Sequence, residues 1–138
     1  MDRDIGYTGQ SGLAMGAQHP ILISKKPIPK ENVAALLGKP FDDMIKFVVD
    51  LDQKLIALGG NMHVDAEAEL LDAGSRQESL WGGNYLPGRG ADGCVEYTSM
   101  INIRPAQNNS SMEVLDAALR QRMRALVFAL VGRGEPLP

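Results

Sequence analysis

The stretch from Gly74 to Pro105 constrains this chain most, because two strand-like runs, Ser79 to Leu86 and Cys94 to Arg104, flank a glycine-rich loop. It also holds the single tryptophan, two of the three tyrosines and a concentration of polar side chains in otherwise strand-like sequence. A site is therefore expected here. Read with period two, Val95, Tyr97, Ile101 and Ile103 point one way, and Glu96, Thr98, Met100, Asn102 and Arg104 the other. Pro105 then ends the run, having no N–H for a ladder. In the first run Trp81, Gly83 and Tyr85 share a face opposite Leu80, Gly82, Asn84 and Leu86. Gly82-Gly83 inside a strand marks a bulge or a close backbone approach.

The remaining chain supplies what this pair packs against. Residues 1–18 are polar, glycine-rich and aperiodic, and read as a flexible N-terminal tail, with an extended start also compatible, ahead of a single domain over 19–138. Ile21 to Ser24 is a short apolar strand. A brief helix follows, with Pro29 at its start and Gly38 and Pro40 closing it. Phe41 to Gly60 fits both a helix and a hairpin by periodicity. The Phe47-Val48-Val49 core prefers a pleated surface and Gly59-Gly60 would end a second strand, so a hairpin turning at Asp52-Gln53-Lys54 is favoured. Asp65 to Ala73 reads as a helix capped by Asp65 and stopped at Gly74, with a strand as the rival. The last helix starts either at Ser110, where Glu113 would complete a capping box, or at Asp116. Leu119, Met123, Leu126, Val127, Leu130 and Val131 form its apolar stripe.

A length of 138 residues suits one domain, and a charged fraction of 22% suits a packed globule. The net charge of −3 argues against a general nucleic-acid binder. With Cys94 as the single cysteine, neither an internal disulfide nor a cysteine-based zinc site can form. No apolar run approaches the ~20 residues that span a bilayer, and no signal core opens the chain, so no membrane association and a cytoplasmic location are expected.

Gly74-Ser75, Gln77, Leu80-Trp81-Gly82 and Asn84 recur in order with Ser99 and Ile101-Asn102-Ile103-Arg104-Pro105. Val48-Val49-Asp50, Gly59-Gly60, His63, Asp65, Glu67, Gln107 and Asn109 complete the pattern. In these residues the chain resembles a small bacterial protein family of unknown function, over roughly residues 21–131. The resemblance implies a compact domain with polar residues around the tryptophan strand, and no reaction. Lys54 departs from the glycine such proteins tend to carry at the hairpin turn.

Among constellations that could carry chemistry, Gly88 to Gly93 matches the dinucleotide fingerprint G-x-G-x-x-G. A strand follows it instead of the helix N-terminus that would receive a pyrophosphate, so it reads as a connection. His63 with Asp65, Glu67 and Glu69 could ligate a metal, but a capping Asp before a solvated acidic face explains the same residues more simply. Cys94, Ser75, Ser79 and Ser99 lack an identifiable activating partner. The stronger candidates are Gln77, Trp81, Asn84, Asn102 and Arg104, since a guanidinium beside amides and an indole can hold an anion or a peptide. The structural alternative is that Arg104 ties down the carbonyls of the 106–111 loop or pairs with Glu69 or Glu96, and that Trp81 is core.

The sequence thus predicts an α+β domain. A mainly antiparallel sheet of four or five strands carries two or three helices, the C-terminal one packed on its apolar face. It predicts a non-enzymatic binding or regulatory protein without cofactor, engaging a protein partner or a small anionic ligand around Trp81 and Arg104. The alternative is a metal-dependent hydrolase using His63 and nearby carboxylates. The oligomeric state, a homodimer included, is left open.

Overall fold

The computed structural model describes residues 12–16 and 19–138. The strands are β1 (Gly12–Gly16), β2 (His19–Ser24), β3 (Ile45–Asp50), β4 (Leu55–Gly59), β5 (Leu80–Tyr85) and β6 (Val95–Glu96). The helices are α1 (Lys30–Ala34), α2 (His63–Asp72), the single turn α3 (Gly90–Gly93) and α4 (Ala117–Leu130), with 3-10 turns at Gln77–Ser79, Met100–Asn102 and Pro105–Gln107. One antiparallel sheet runs β1-β2-β4-β3-β5-β6. This is the expected α+β architecture, with Gly12–Gly16 adding an edge strand to the four or five expected and the single turn α3 adding to the two or three helices. The other residues of the stretch read as a tail, 1–11 and 17–18, lie outside the described residues.

Period two sorts the sheet into two faces. On one, Phe47, Val49, Ile56, Leu58, Trp81 and Tyr85 pack under Met123, Val127 and Leu130 of α4. On the other, Ile21, Ile23, Val48, Ala57 and Leu80 pack against Ala66 and Leu70 of α2. The central strands are thus covered on both sides. Among the described residues, no helix is long and apolar enough to cross a membrane.

The hairpin reading of 45–58 holds, with Val48 opposite Ala57 and Asp50 opposite Leu55. Asp50, fully buried, builds the turn: its Oδ1 accepts from the amides of Asp52 and Gln53, both at 2.9 Å. Its Oδ2 accepts from the Ser75 hydroxyl at 2.7 Å, which anchors the turn to the segment after α2. Lys54 closes the turn at φ 57°, a left-handed conformation that disfavours a side chain. Lys54→Gly relieves about 1–2 kcal/mol of that cost. It gives back about 0.5–1 in unfolded-chain entropy. A net gain of about 0.5–1 kcal/mol is expected, read as a raised urea midpoint at unchanged slope.

α2 begins two residues before the expected Asp65. Met62 holds the N-cap position without a side-chain bond, and Asp65 does not cap but lies in the first turn, where its charge complements the helix dipole. The other end is as expected. Gly74, at φ 106°, lets the Ser75 amide donate to the Leu70 carbonyl and its own amide to Leu71, the paired bonds of a Schellman stop. α4 takes the later of its two starts, Asp116 Oδ1 accepting from the amides of Ala118 and Leu119.

The run from Cys94 to Arg104 departs from the expected strand. Only Val95 and Glu96 pair with β5, opposite Tyr85 and Asn84. The chain then leaves the ladder and turns through Met100–Asn102. Asn102, assigned to the polar face, is fully buried, whereas Ile103, assigned to the core, is 43% exposed. The cause lies at Gly82: no strand covers this part of the β5 edge, and the Asn102 amide replaces the ladder. Its Oδ1 accepts from the Gly82 amide at 2.9 Å and its Nδ2 donates to the Gly82 carbonyl at 3.0 Å. Gly82-Gly83 marks close approach and not a bulge, since β3 and β5 stay in register throughout. A Cβ at Gly82 would lie 2.8 Å from Ser99 Cβ.

Candidate functional site

Of the five residues picked from the sequence, Gln77, Trp81 and Arg104 come together where β5 begins. The Arg104 guanidinium stacks 4.1 Å from the centre of the Trp81 ring. Its Nε donates to the Ile101 carbonyl at 3.1 Å, its Nη1 to the Gln77 carbonyl and Gln107 Oε1, and its Nη2 to the Leu80 carbonyl. These bonds tie three 3-10 turns to the strand, and the carbonyls are not those of the 106–111 loop that the structural alternative named. Gln77 is exposed and reaches Glu67 Oε2 at 3.4 Å, and Trp81 is buried. Asn102 stands beside this cluster as a replacement for backbone.

Asn84 lies on the opposite face of the sheet, in a groove the sequence reading did not assemble. The cross-strand neighbours Lys46 and Asn84 line it together with Asn61 and Thr98, and Glu96 continues the row beyond Asn84. His63 and Ser99 close in over Gly82. Met62 and Val64 from the start of α2 form one wall, and Met100, Ile101 and Met112 the other. The cavity measures about 510 Å³. Met62 is 55% exposed and Met100 73%, so apolar and adaptable side chains rim a polar floor.

The groove's polar atoms are unequally satisfied. Asn84 Nδ2 donates to Glu96 Oε1 at 3.0 Å, while its Oδ1 is buried without a hydrogen-bond partner. Such an atom costs about 1–3 kcal/mol until a donor arrives. Lys46 is half-buried, and desolvation lowers its pKa, with the Glu96 charge acting in the opposite sense. His63 Nε2 donates to the Gly83 carbonyl at 2.7 Å, which fixes the orientation of the ring. Among the described residues no three His, Cys, Asp or Glu side chains converge to hold a metal ion.

The other chemical candidates are equally committed. Ser75 donates to Asp50, and Ser99 Oγ accepts from the Ile101 amide at 3.2 Å. Burial raises the Cys94 pKa, the wrong direction for a nucleophile. In the glycine loop, Gly88 and Gly90 donate their amides to the carbonyls of Glu135 and Gly134, so the loop is stitched to the C-terminal segment.

A family model described as a protein of unknown function, DUF5674, matches residues 22–130, a span that takes in the Arg104 cluster and the whole groove. The chain belongs to the DUF5674 family. No curated protein and no solved structure matches it.

Lys46, Met62 and Met112 of this DUF5674 chain are not among the site candidates picked from the sequence. One signal was available: Lys46 is the charge that interrupts an otherwise apolar strand in Ile45–Val49.

His63 makes the groove's half of the fold sensitive to acid. Burial, aided by the Lys46 charge, holds its pKa down to about 4, against the Gly83 carbonyl and Asn84 amide, which favour the protonated ring. Below pH 6.5 the unfolded chain takes up a proton that the folded imidazole refuses until about pH 4. Stability is therefore lost as the pH falls through that window, by up to about 3 kcal/mol, and is insensitive to His63 above it. Urea unfolding at pH 7 and pH 4.5 measures the loss. His63→Gln, which retains a donor for Gly83, should shrink the difference between the two by most of that amount.

Proposed function

We propose that this DUF5674 protein is a non-enzymatic binding protein whose partner seats in the groove between α2 and the 98–112 segment. The reading moves away from the Arg104 face because that guanidinium is spent on carbonyls. The observation that carries it is Asn84 Oδ1, a buried acceptor left without a hydrogen bond while the neighbouring His63 ring is neutral, on the floor of an apolar-walled cavity. A cavity of this size, its exposed lining mainly apolar with polar groups converging on the floor, is what ligand recognition needs.

The test uses a neutral probe that combines an N–H donor with an apolar side chain, N-acetylmethionine amide. In protein carrying 13C-methyl methionine, it should shift the methyl signals of Met62, Met100 and Met112 and leave that of buried Met123 in place. Unchanged signals at millimolar probe would remove the groove as a binding site.

A further inference from the structure

We infer that the groove is built for the C-terminus of a peptide, an α-carboxylate whose own residue carries an apolar side chain and an amide N–H. The inference rests on the binding reading above and adds to it the chemical class of the occupant.

Three features of the groove ask for three different things. Lys46 asks for an anion. Its nearest aromatic neighbour is Phe41, whose ring centre lies 5.2 Å from Nζ, and this contact orients the ammonium without neutralising it. No carboxylate of the described residues comes within ion-pair distance of Nζ. Glu96, whose field reaches Lys46, spends Oε1 on Asn84. Asn84 Oδ1 asks for a donor, and a simple carboxylate has none to give at neutral pH. The walls of Met62, Val64, Met100 and Met112 ask for an unbranched or adaptable apolar group.

The placement of the first two requirements narrows the answer. Lys46 and Asn84 are direct partners in the β3–β5 register and line the same groove. The last residue of a peptide carries an anion and an N–H donor on a single Cα, with its side chain leaving from the same atom, so one group can answer both neighbours. A fatty acid would leave Asn84 unmet, and an internal neutral segment would leave Lys46 unmet. A single acetylated residue fills only part of about 510 Å³, which leaves room for the residues preceding a chain end.

The experiment compares N-acetylmethionine with its amide, and acetylated tri-alanyl-methionine with its amide, by isothermal calorimetry on the full chain. The free acids should bind at least about tenfold more tightly than the amides. The tetrapeptide acid should bind at least as tightly as the acetylated amino acid. Lys46→Gln, at a half-buried position and checked for an unchanged melt, should erase the acid preference, and Lys46→Arg should keep it. Equal binding of acid and amide would overturn the inference while leaving the groove a binding site. An acid preference that survives in Lys46→Gln would also overturn it, as would a tetrapeptide much weaker than the single residue. No binding of any probe would remove both this inference and the reading it rests on.

Discussion

Asn102→Ala is expected to destabilise the protein by about 3–5 kcal/mol. The side chain does for β5 what a neighbouring strand would do, accepting from the Gly82 amide and donating to the Gly82 carbonyl, with Nδ2 also shared toward the Met112 carbonyl at 3.1 Å. Asn102 is fully buried, so water cannot replace it when it is truncated. Each orphaned buried backbone group costs about 1–3 kcal/mol, and at least two are orphaned. Asn102→Asp should be no milder. It keeps the acceptor for the Gly82 amide, loses the donor and buries a charge that has no partner. Urea unfolding at neutral pH measures both variants. A loss below about 1 kcal/mol for alanine would mean that the 98–104 segment is held to the sheet by other contacts, with Arg104 the leading one.

Gly83→Ala should be as damaging for a different reason. A Cβ there would sit 2.2 Å from the Glu96 carbonyl oxygen and 2.6 Å from the edge of the Phe47 ring. Neither neighbour can swing away, because Glu96 belongs to the paired strand β6 and the fully buried Phe47 is core. The methyl group must then part β6 from β5 or displace the ring. Overpacking ordinarily costs about 1–3 kcal/mol, and overlap with backbone on one side and core on the other puts this case at about 3 or more. Gly93→Ala is the control, since the atom nearest its added Cβ is Arg89 Cβ at 3.6 Å, an ordinary contact. A Gly83→Ala protein that melts with the wild type would show that β6 detaches at little cost. The amide resonance of Glu96 reports which of the two happened.

Much of the architecture could be read from neighbours along the chain. The stop at Gly74 and the cap at Asp116 are local contests between backbone groups and side chains a few residues away, and both were legible. The hairpin at 45–58 was harder because α2 and α4 cover both faces of its strands. Burial on both sides removes the polar alternation that separates a strand from a helix. The boundary of α2 was misplaced because a plausible cap at Asp65 was available, whereas packing of His63 onto Gly82 carries the helix two residues further back.

Local patterning by itself therefore determined the α+β class, the order of most elements and the face each side chain of β3, β4 and β5 takes. It could not determine the fate of 97–104. Period two treats Asn102 and Ile103 as one polar and one apolar residue, but Asn102 is buried because Gly82, twenty residues earlier, needs its amide. Arg104 is likewise spent on carbonyls at positions 77 and 80, a choice no window around residue 104 contains. The groove is the same case on a larger scale, drawing Lys46, His63, Asn84 and Met100 from four separate parts of the chain. Chain connectivity restricts only backbone angles and near neighbours. The partner of a polar group in the interior is decided by whichever donor or acceptor the packed sheet brings within about 3 Å, and that is known only once the strands have been laid side by side.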